Sequence, residues 1–234
     1  MAGLVITHSP TPIIALDLPT LADAKALVAR IGPRADFYKV GLQLFTREGP
    51  AAVEWLRGES KRVFLDLKLH DIPNTVGRAA ESAAALGAEL LTIHAIGGEA
   101  MMRAAVDGAG PTGVIAVTVL TSFDDAAYAA AVGVPGATVV DTVLRLADRA
   151  RACGARGIVC AGTEAGAVRR AHGEALGTLV PGLRPPGAPV NDQARVATPR
   201  EVRDAGATWV IVGRAVTAAS DPAQAYEEIC VALG

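Results

Sequence analysis

The feature that most constrains the fold is a regular alternation of short apolar runs with alanine-rich segments of helical spacing. Eight apolar runs can be counted along the 234 residues: Ile13–Leu18, Phe37–Gly41, Val63–Leu69, Leu90–Ala95, Gly113–Val119, Gly157–Ala161, Thr178–Leu183 and Trp209–Gly213. Between them lie helical segments such as Leu21–Ile31, Ala51–Arg57, Val76–Leu86 and Glu99–Asp107. Strands that alternate with helices build a parallel sheet. Because eight such units usually occupy about 250 residues in a closed barrel, we predict one α/β domain over residues 1–234, a (β/α)8 TIM barrel.

A doubly wound open sheet is the alternative architecture. Such a sheet usually carries a Gly-x-Gly-x-x-Gly turn after its first strand, whereas here that strand continues into Leu16-Asp17-Leu18-Pro19. The longest irregular stretches, 120–140 and 184–200, each follow a predicted strand. Long loops in these positions are often functional, and the proline-rich start of the second one indicates a lid or a clamp.

Composition and charge exclude several classes of function. A net charge of −2 gives no basic surface for nucleic acid. The three cysteines have no metal-binding or disulfide spacing, and Cys160 lies in an apolar run as a core residue would. No signal peptide is evident, and no apolar run reaches the ~20 residues that span a bilayer. We therefore expect a soluble cytoplasmic protein with no membrane partner.

The most informative stretch is 63–75, in which an apolar strand carries unlike charges near its end. Side chains two residues apart share one face of a strand, so Asp66 and Lys68 should point the same way, with Asp71 following as the strand runs into a loop. A surface strand with a salt bridge is the other interpretation. The strongly apolar neighbouring strands and a matching lysine, Lys39, on the preceding strand favour a functional site.

Polar residues follow nearly every predicted strand, and in a barrel such positions meet at one opening. They are Asp17, Lys39, Asp66, Lys68, Asp71, His94, Thr118, Thr121, Ser122, Arg184, Gln193, Gly213 and Arg214. Loops after the last two strands often bind phosphate. Gly213 would allow close backbone approach and Arg214 would supply a bidentate fork.

Four charges, Lys39, Asp66, Lys68 and Asp71, are expected to form a row of alternating sign in a small space, and they also indicate a reaction. A substrate carboxylate pressed against Asp66 would be repelled by roughly 4 kcal/mol at about 4 Å and an effective dielectric near 20. Loss of CO2 would relieve that repulsion, and the ammonium of Lys68 would attract and then protonate the carbanion. This chemistry needs no cofactor. Two alternatives stay open: Mg²⁺ held by Asp66 and Asp71, which Lys39 and Lys68 would oppose, and a lysine Schiff base.

The chain resembles orotidine 5'-phosphate decarboxylases of the bacterial type along nearly its whole length. The segments that carry the resemblance are Pro12–Asp17, Tyr38–Gly41, Phe64–Thr75, Ile115–Ser122, Val180–Arg184, Asn191–Pro199 and Val212–Arg214. The combination of Asp-Leu-Lys-Leu-His-Asp with the other segments is highly specific.

The resemblance implies a homodimeric (β/α)8 barrel that converts orotidine 5'-monophosphate to UMP and CO2 without metal or organic cofactor. It implies that Lys68 is the proton donor and that Asp66 faces the departing carboxylate. The implied contacts to the ribose are Asp17 and Lys39 of one chain with Asp71 and Thr75 of the partner subunit. Those to the pyrimidine edge are Thr121 with Ser122, and those to the phosphate are Arg184, Gln193, Gly213 and Arg214. His94 is expected to make a structural hydrogen bond.

Two rival functions stay open. One is a Mg²⁺-dependent decarboxylase or aldolase acting on keto-sugar phosphates, a sister within the same superfamily that places an acid where Lys39 stands. The other is a non-catalytic phosphate-binding barrel, which would have no reason to keep unlike charges clustered at its opening.

Overall fold

Eight parallel strands close into one barrel in the order of the sequence. The structure is a computed structural model that describes residues 9–183, 195 and 197–234. The strands are β1 (Thr11–Ala15), β2 (Phe37–Gly41), β3 (Arg62–Leu69), β4 (Leu90–His94), β5 (Gly113–Val117), β6 (Gly157–Val159), β7 (Gly177–Val180) and β8 (Trp209–Val212). Strand β8 pairs with β1 and completes the ring. The predicted (β/α)8 TIM barrel is therefore confirmed.

Helices connect the strands over the outside of the ring. They are α1 (Leu21–Ile31), α2 (Leu42–Glu48), α3 (Ala51–Gly58), α4 (Pro73–Ala85), α5 (Glu99–Ala109), α6 (Asp125–Val132), α7 (Val139–Ala152), α8 (Gly162–His172), α9 (Pro199–Asp204), α10 (Arg214–Thr217) and α11 (Pro222–Leu233). The stretch 120–140, expected to be irregular, contains α6. Asp124 caps this helix by accepting a hydrogen bond from the amide of Ala127, a local start signal.

Local sequence explains where several helices begin. Thr20 accepts a hydrogen bond from the amide of Asp23 at the start of α1, and Asp221 accepts one from Gln224 at the start of α11. Each cap satisfies one of the amides that a helix start leaves without an intrahelical partner. Among the described residues, no helix has both the length and the apolar character that crossing a membrane would require.

Alternation along the strands divides the apolar residues into two cores. The larger core lies between the strands and the helices and includes Leu65, Leu91 and Ile93. The smaller core fills the barrel itself: Ile13, Ala15, Phe37, Phe64, Leu90, Ile115, Val117, Val159, Leu179, Trp209 and Ile211. Because side chains two apart share a face, the next inward positions above this apolar filling are those that carry polar groups.

Candidate active site

A pocket of about 580 Å³ opens above the apolar filling of the barrel. Its volume suits a small molecule of nucleotide size. The polar residues that line it are Asp17, Lys39, Asp66, Lys68, Thr121, Ser122, Arg214 and Thr217, and Gly213 also contributes to the lining. Most of the described strand-end residues expected at the barrel opening therefore meet there. Asp71, His94 and Thr118 do not line this pocket, and the hydroxyl of Thr118 donates instead to the carbonyl of Val159.

A row of four alternating charges runs along one wall of this pocket. Lys39 Nζ lies 2.8 Å from Asp17 Oδ1 and 3.3 Å from Asp66 Oδ2. Lys68 Nζ donates to both oxygens of Asp66, each at 2.8 Å. Each interior charge therefore has at least one opposite neighbour, which is the condition for keeping charges away from water.

The middle of the row is buried, and its electrostatics favour the charged forms. Burial alone would raise the pKa of Asp66, but the ammonium groups of Lys39 and Lys68 and the hydroxyl of Thr92 outweigh it and lower that pKa. Burial would likewise lower the pKa of Lys39, yet Asp66 and Asp17 raise it. A carboxylate and an ammonium group thus stay ionised inside the barrel.

Thr92 completes this arrangement and was not among the residues proposed from the sequence. Its hydroxyl donates to Asp66 Oδ1 at 2.9 Å and accepts from the backbone amide of Lys68 at 2.8 Å. Thr92 occupies the inward position of β4 between Leu90 and His94. That parity is the one signal in the sequence that could have found it.

Gly41 leaves room for the outer ion pair of the row. A Cβ placed on Gly41 would lie 2.6 Å from both Asp17 Oδ1 and Lys39 Nζ, which is far inside normal contact distance. The absence of a side chain at this position therefore allows the two charged groups to meet in front of the end of β2.

Asp71 and Thr75 lie apart from the pocket within one chain. Neither residue lines it, and both are exposed at the start of α4. Asp71 Oδ1 accepts a hydrogen bond of 2.6 Å from the amide of Ile72. Asp71 was expected in the row of alternating charges, but in the single chain Asp17 takes the end of that row beside Lys39. The role of Asp71 from a partner subunit stays a prediction.

The same pocket is also lined by residues assigned to the base and to the phosphate. Thr121 is buried and Ser122 is exposed after β5, while Gly213 and Arg214 follow β8 at the start of α10. Arg184 and Gln193, the other two residues predicted at the phosphate, lie outside the described residues, as does most of the proposed clamp.

His94 and Cys160 have no evident part in the pocket. The ring of His94 faces that of His70 with centroids 5.6 Å apart. Burial, followed by the nearby His70 and Lys68, lowers the pKa of His94 and favours a neutral imidazole. Cys160 is fully buried and burial raises the pKa of its thiol, as expected of a core cysteine.

Comparisons with known proteins agree with this geometry. The profile of the "Orotidine 5'-phosphate decarboxylase / HUMPS family" matches residues 10–229. The chain is 54% identical over 220 residues to an orotidine 5'-phosphate decarboxylase of Anaeromyxobacter dehalogenans, covering 94% of this chain and 96% of that protein. It is 48% identical over 221 residues to the Thermobifida fusca enzyme of that name, covering 94% of each. The crystal structure of orotidine 5'-phosphate decarboxylase from Lactobacillus acidophilus superposes with a TM-score of 0.86 at 34% identity, covering 97% of this chain and 100% of that one.

Proposed function

The chain belongs to the orotidine 5'-phosphate decarboxylase / HUMPS family, and from this premise we propose that it converts orotidine 5'-monophosphate to UMP and CO2 in de novo pyrimidine synthesis. The observation that carries the proposal is the contact of Lys68 Nζ with both oxygens of Asp66, each at 2.8 Å, in the wall of the pocket. It puts a carboxylate and a proton donor side by side where a substrate would react.

In the proposed reaction the substrate carboxylate lies against Asp66. The bond between the pyrimidine ring and CO2 breaks, and its electron pair stays on the ring carbon. The Lys68 ammonium stabilises that developing charge and then transfers a proton to the carbon, leaving a neutral amine that takes a proton back from water. An ammonium that interacts more strongly with the carbanion than with the substrate lowers the barrier. The proposed step is redox-neutral and uses no organic cofactor or metal.

The remaining residues hold the substrate in this proposal. Asp17 and Lys39 bind the ribose hydroxyls, Thr121 with Ser122 meets the pyrimidine edge, and Gly213 with Arg214 binds the phosphate. All of these residues line the same pocket, which supports the assignment. Arg184 and Gln193 are proposed to complete the phosphate site.

We further propose that the enzyme is a cytoplasmic homodimer and that Asp71 and Thr75 act in the partner's pocket. Both are exposed and neither lines the pocket of its own chain. Ile72, next to Asp71, has 66% of its surface exposed, and Ile96, beyond the His70–His94 contact, has 59%. A second chain that covered these two side chains would remove their apolar surface from water.

The Mg²⁺-dependent sister function is the second candidate, because it shares the Asp-x-Lys-x-x-Asp pattern. The contacts around Asp66 oppose it: two ammonium groups lie 2.8 and 3.3 Å from this carboxylate. A divalent cation bound there would sit against both positive charges.

One assay tests the proposal and its rivals. Purified protein is mixed with orotidine 5'-monophosphate and EDTA, and the loss of ultraviolet absorbance is followed. We expect turnover to continue in EDTA. Turnover that requires added Mg²⁺ would favour the sister function, and no turnover on any sugar phosphate would favour the non-catalytic barrel.

The role of Lys68 is tested by Lys68→Ala. We expect turnover to be abolished while the circular dichroism spectrum stays that of the wild type, because the variant lacks the proton donor. Lys25→Ala removes an exposed lysine from α1 and serves as the matched control, with activity unchanged. Near-normal activity of Lys68→Ala would show that another group delivers the proton.

A further inference from the structure

Strands β3 and β4 do not run in simple register beside the pocket. Leu65 pairs with Leu91 and Leu69 pairs with Ile93. Between these two pairs β3 therefore advances by four residues and β4 by two. Lys68 lies inside this bulge with a φ of 50°. Left-handed backbone is uncommon for a residue with a side chain and persists where the surroundings hold it.

One side chain bridges the irregular segment to the neighbouring strand. The Thr92 hydroxyl accepts a hydrogen bond from the Lys68 amide at 2.8 Å, so it takes the place of the ladder acceptor that the bulge removes. The same hydroxyl donates to Asp66 Oδ1 at 2.9 Å. A hydroxyl has one donor and two acceptor positions, and here it uses both kinds at once.

Among residues 9–183, 195 and 197–234, the Thr92 hydroxyl makes hydrogen bonds with Asp66 and Lys68 alone. Thr92 is fully buried, directly above the apolar filling to which Leu90 of the same strand belongs. Valine is β-branched like threonine and carries a methyl group in place of the hydroxyl, so it keeps the shape of the side chain and removes the oxygen. Within the described part of the chain, the contacts that require an oxygen here are those with Asp66 and Lys68.

We propose that Thr92 is a positioning residue for the decarboxylation, fixing the Asp66 carboxylate and the left-handed backbone of Lys68 in one geometry. This inference rests on the proposed function and adds a residue to it. Thr92 lies behind the residues that line the pocket and is not one of them. It acts by holding the acid and the ammonium at their mutual distance, and errors of about 1 Å in such placement can cost about 10²-fold in rate.

The test compares Thr92→Val, Thr92→Ser and a matched control, Thr112→Val. Thr112 is also buried, and its hydroxyl makes one hydrogen bond of 2.8 Å to the carbonyl of Ala88, before β5 and away from the pocket. We expect Thr92→Val to lower kcat by about 10²-fold with KM for orotidine 5'-monophosphate nearly unchanged, because the ribose and phosphate contacts remain. Thr92→Ser should recover most of kcat, and Thr112→Val should retain all of it.

The pH profile separates positioning from a loss of packing. The Thr92 hydrogen bond favours ionised Asp66, so its removal should move the acidic limb of kcat/KM to higher pH, while Thr112→Val leaves that limb in place. Wild-type kcat in Thr92→Val, an equal loss in both valine variants, or a loss confined to KM would each overturn the proposal. Should Thr92→Val not fold, Thr92→Ala removes the same hydroxyl and replaces it in the comparison.

A crystal structure of Thr92→Val tests the inference independently of turnover. We expect Asp66 to rotate or the backbone at Lys68 to leave its left-handed conformation. An unchanged geometry would overturn the positioning role even if activity fell. Failure of the wild-type protein to act on orotidine 5'-monophosphate would instead overturn the proposed function and leave this structural comparison to decide the role of Thr92.

Discussion

Asp66 is the residue on which the charge balance of the pocket depends. Its side chain is only 10% exposed and accepts contacts from two ammonium groups. Because its pKa is lowered on folding, Asp66 contributes stability above its ordinary pKa of about 3.9, and this contribution is lost as the pH falls through the lowered value. Lys39 behaves in the opposite sense: its pKa is raised, so its contribution is complete below about 10.4 and disappears at more alkaline pH.

Two amide substitutions measure how much this buried acid matters. Asp66→Asn should lower the free energy of unfolding by about 3–5 kcal/mol, because it leaves Lys39 and Lys68 close together without their shared carboxylate. Asp17→Asn should cost about 1 kcal/mol or less, since the Asp17 side chain is 54% exposed and Lys39 keeps Asp66. Urea denaturation at neutral pH gives both values, and the difference between wild type and Asp66→Asn should shrink below about pH 4. Equal losses in the two variants would contradict this ranking.

At the scale of the elements, the charged groups that follow β1 and β2 can meet because Gly41 has no side chain. The ion pair between Asp17 and Lys39 occupies the space that a Cβ on Gly41 would need. The backbone of Gly41 is extended, so alanine would meet no conformational penalty there and its effect would come from this contact alone.

Gly41→Ala should therefore separate Asp17 from Lys39 without disturbing β2. We expect the affinity for UMP, a ligand that keeps the ribose and phosphate, to fall by roughly tenfold, equivalent to about 1.4 kcal/mol, because both displaced groups are proposed ribose ligands. Calorimetric titration measures this, with Gly58→Ala at the open end of α3 as the control. Unchanged UMP affinity would show that the ion pair adapts to a methyl group.

The order and type of the elements could be predicted because hydrophobic periodicity reports burial. The ends of the strands could not be predicted as well, because most predicted apolar runs extend beyond the carboxyl end of the observed strand. Leu16, Val119 and Ala161 were included in strands, yet the ladders stop at Ala15, Val117 and Val159. The three extra residues are all buried, so the apolar pattern continues where the chain leaves the sheet and packs over the barrel rim.

The residues of the pocket could likewise be predicted only in part from the sequence. Parity along single strands was enough to bring Asp66 and Lys68 to one side, and the structure has both in the pocket wall. The bulge at Lys68 and the contact of Thr92 depend on how two strands align with each other. Such register is a tertiary property that no pattern within one strand contains.

At the scale of the whole molecule, one chain supplies only part of the proposed site. Lys68 lines the pocket and Asp71, three positions later, faces solvent. If Asp71 acts across a two-fold interface, each site of a dimer combines Lys39 and Lys68 of one chain with Asp71 of the other. Twofold symmetry makes the two sites equivalent.

Mixing inactive variants tests this sharing. Lys68→Ala and Asp71→Asn should each be inactive, but their hybrid dimer has one site with all groups intact. Random exchange of subunits should thus restore up to about a quarter of wild-type activity, because half of the dimers are hybrids with one good site of two. Mixing Lys68→Ala with Lys39→Ala is the control, since both changes affect the same side of a site and every hybrid site stays defective. No recovery in the first mixture would show that Asp71 does not act across an interface.

The alternation of inward and outward side chains along each strand limits how the length of the strands can change in evolution. The bulge lengthens β3 by two residues relative to β4, so Leu65 and Leu69 on either side of it both face the outer core, and Asp66 and Lys68 between them both line the pocket. Gain or loss of one residue inside a strand would turn every later side chain from the lumen to the helices. Descendants of this sequence can therefore vary in length between the strands or in pairs within them, and odd-numbered insertions should be purged from the strands that carry the charges.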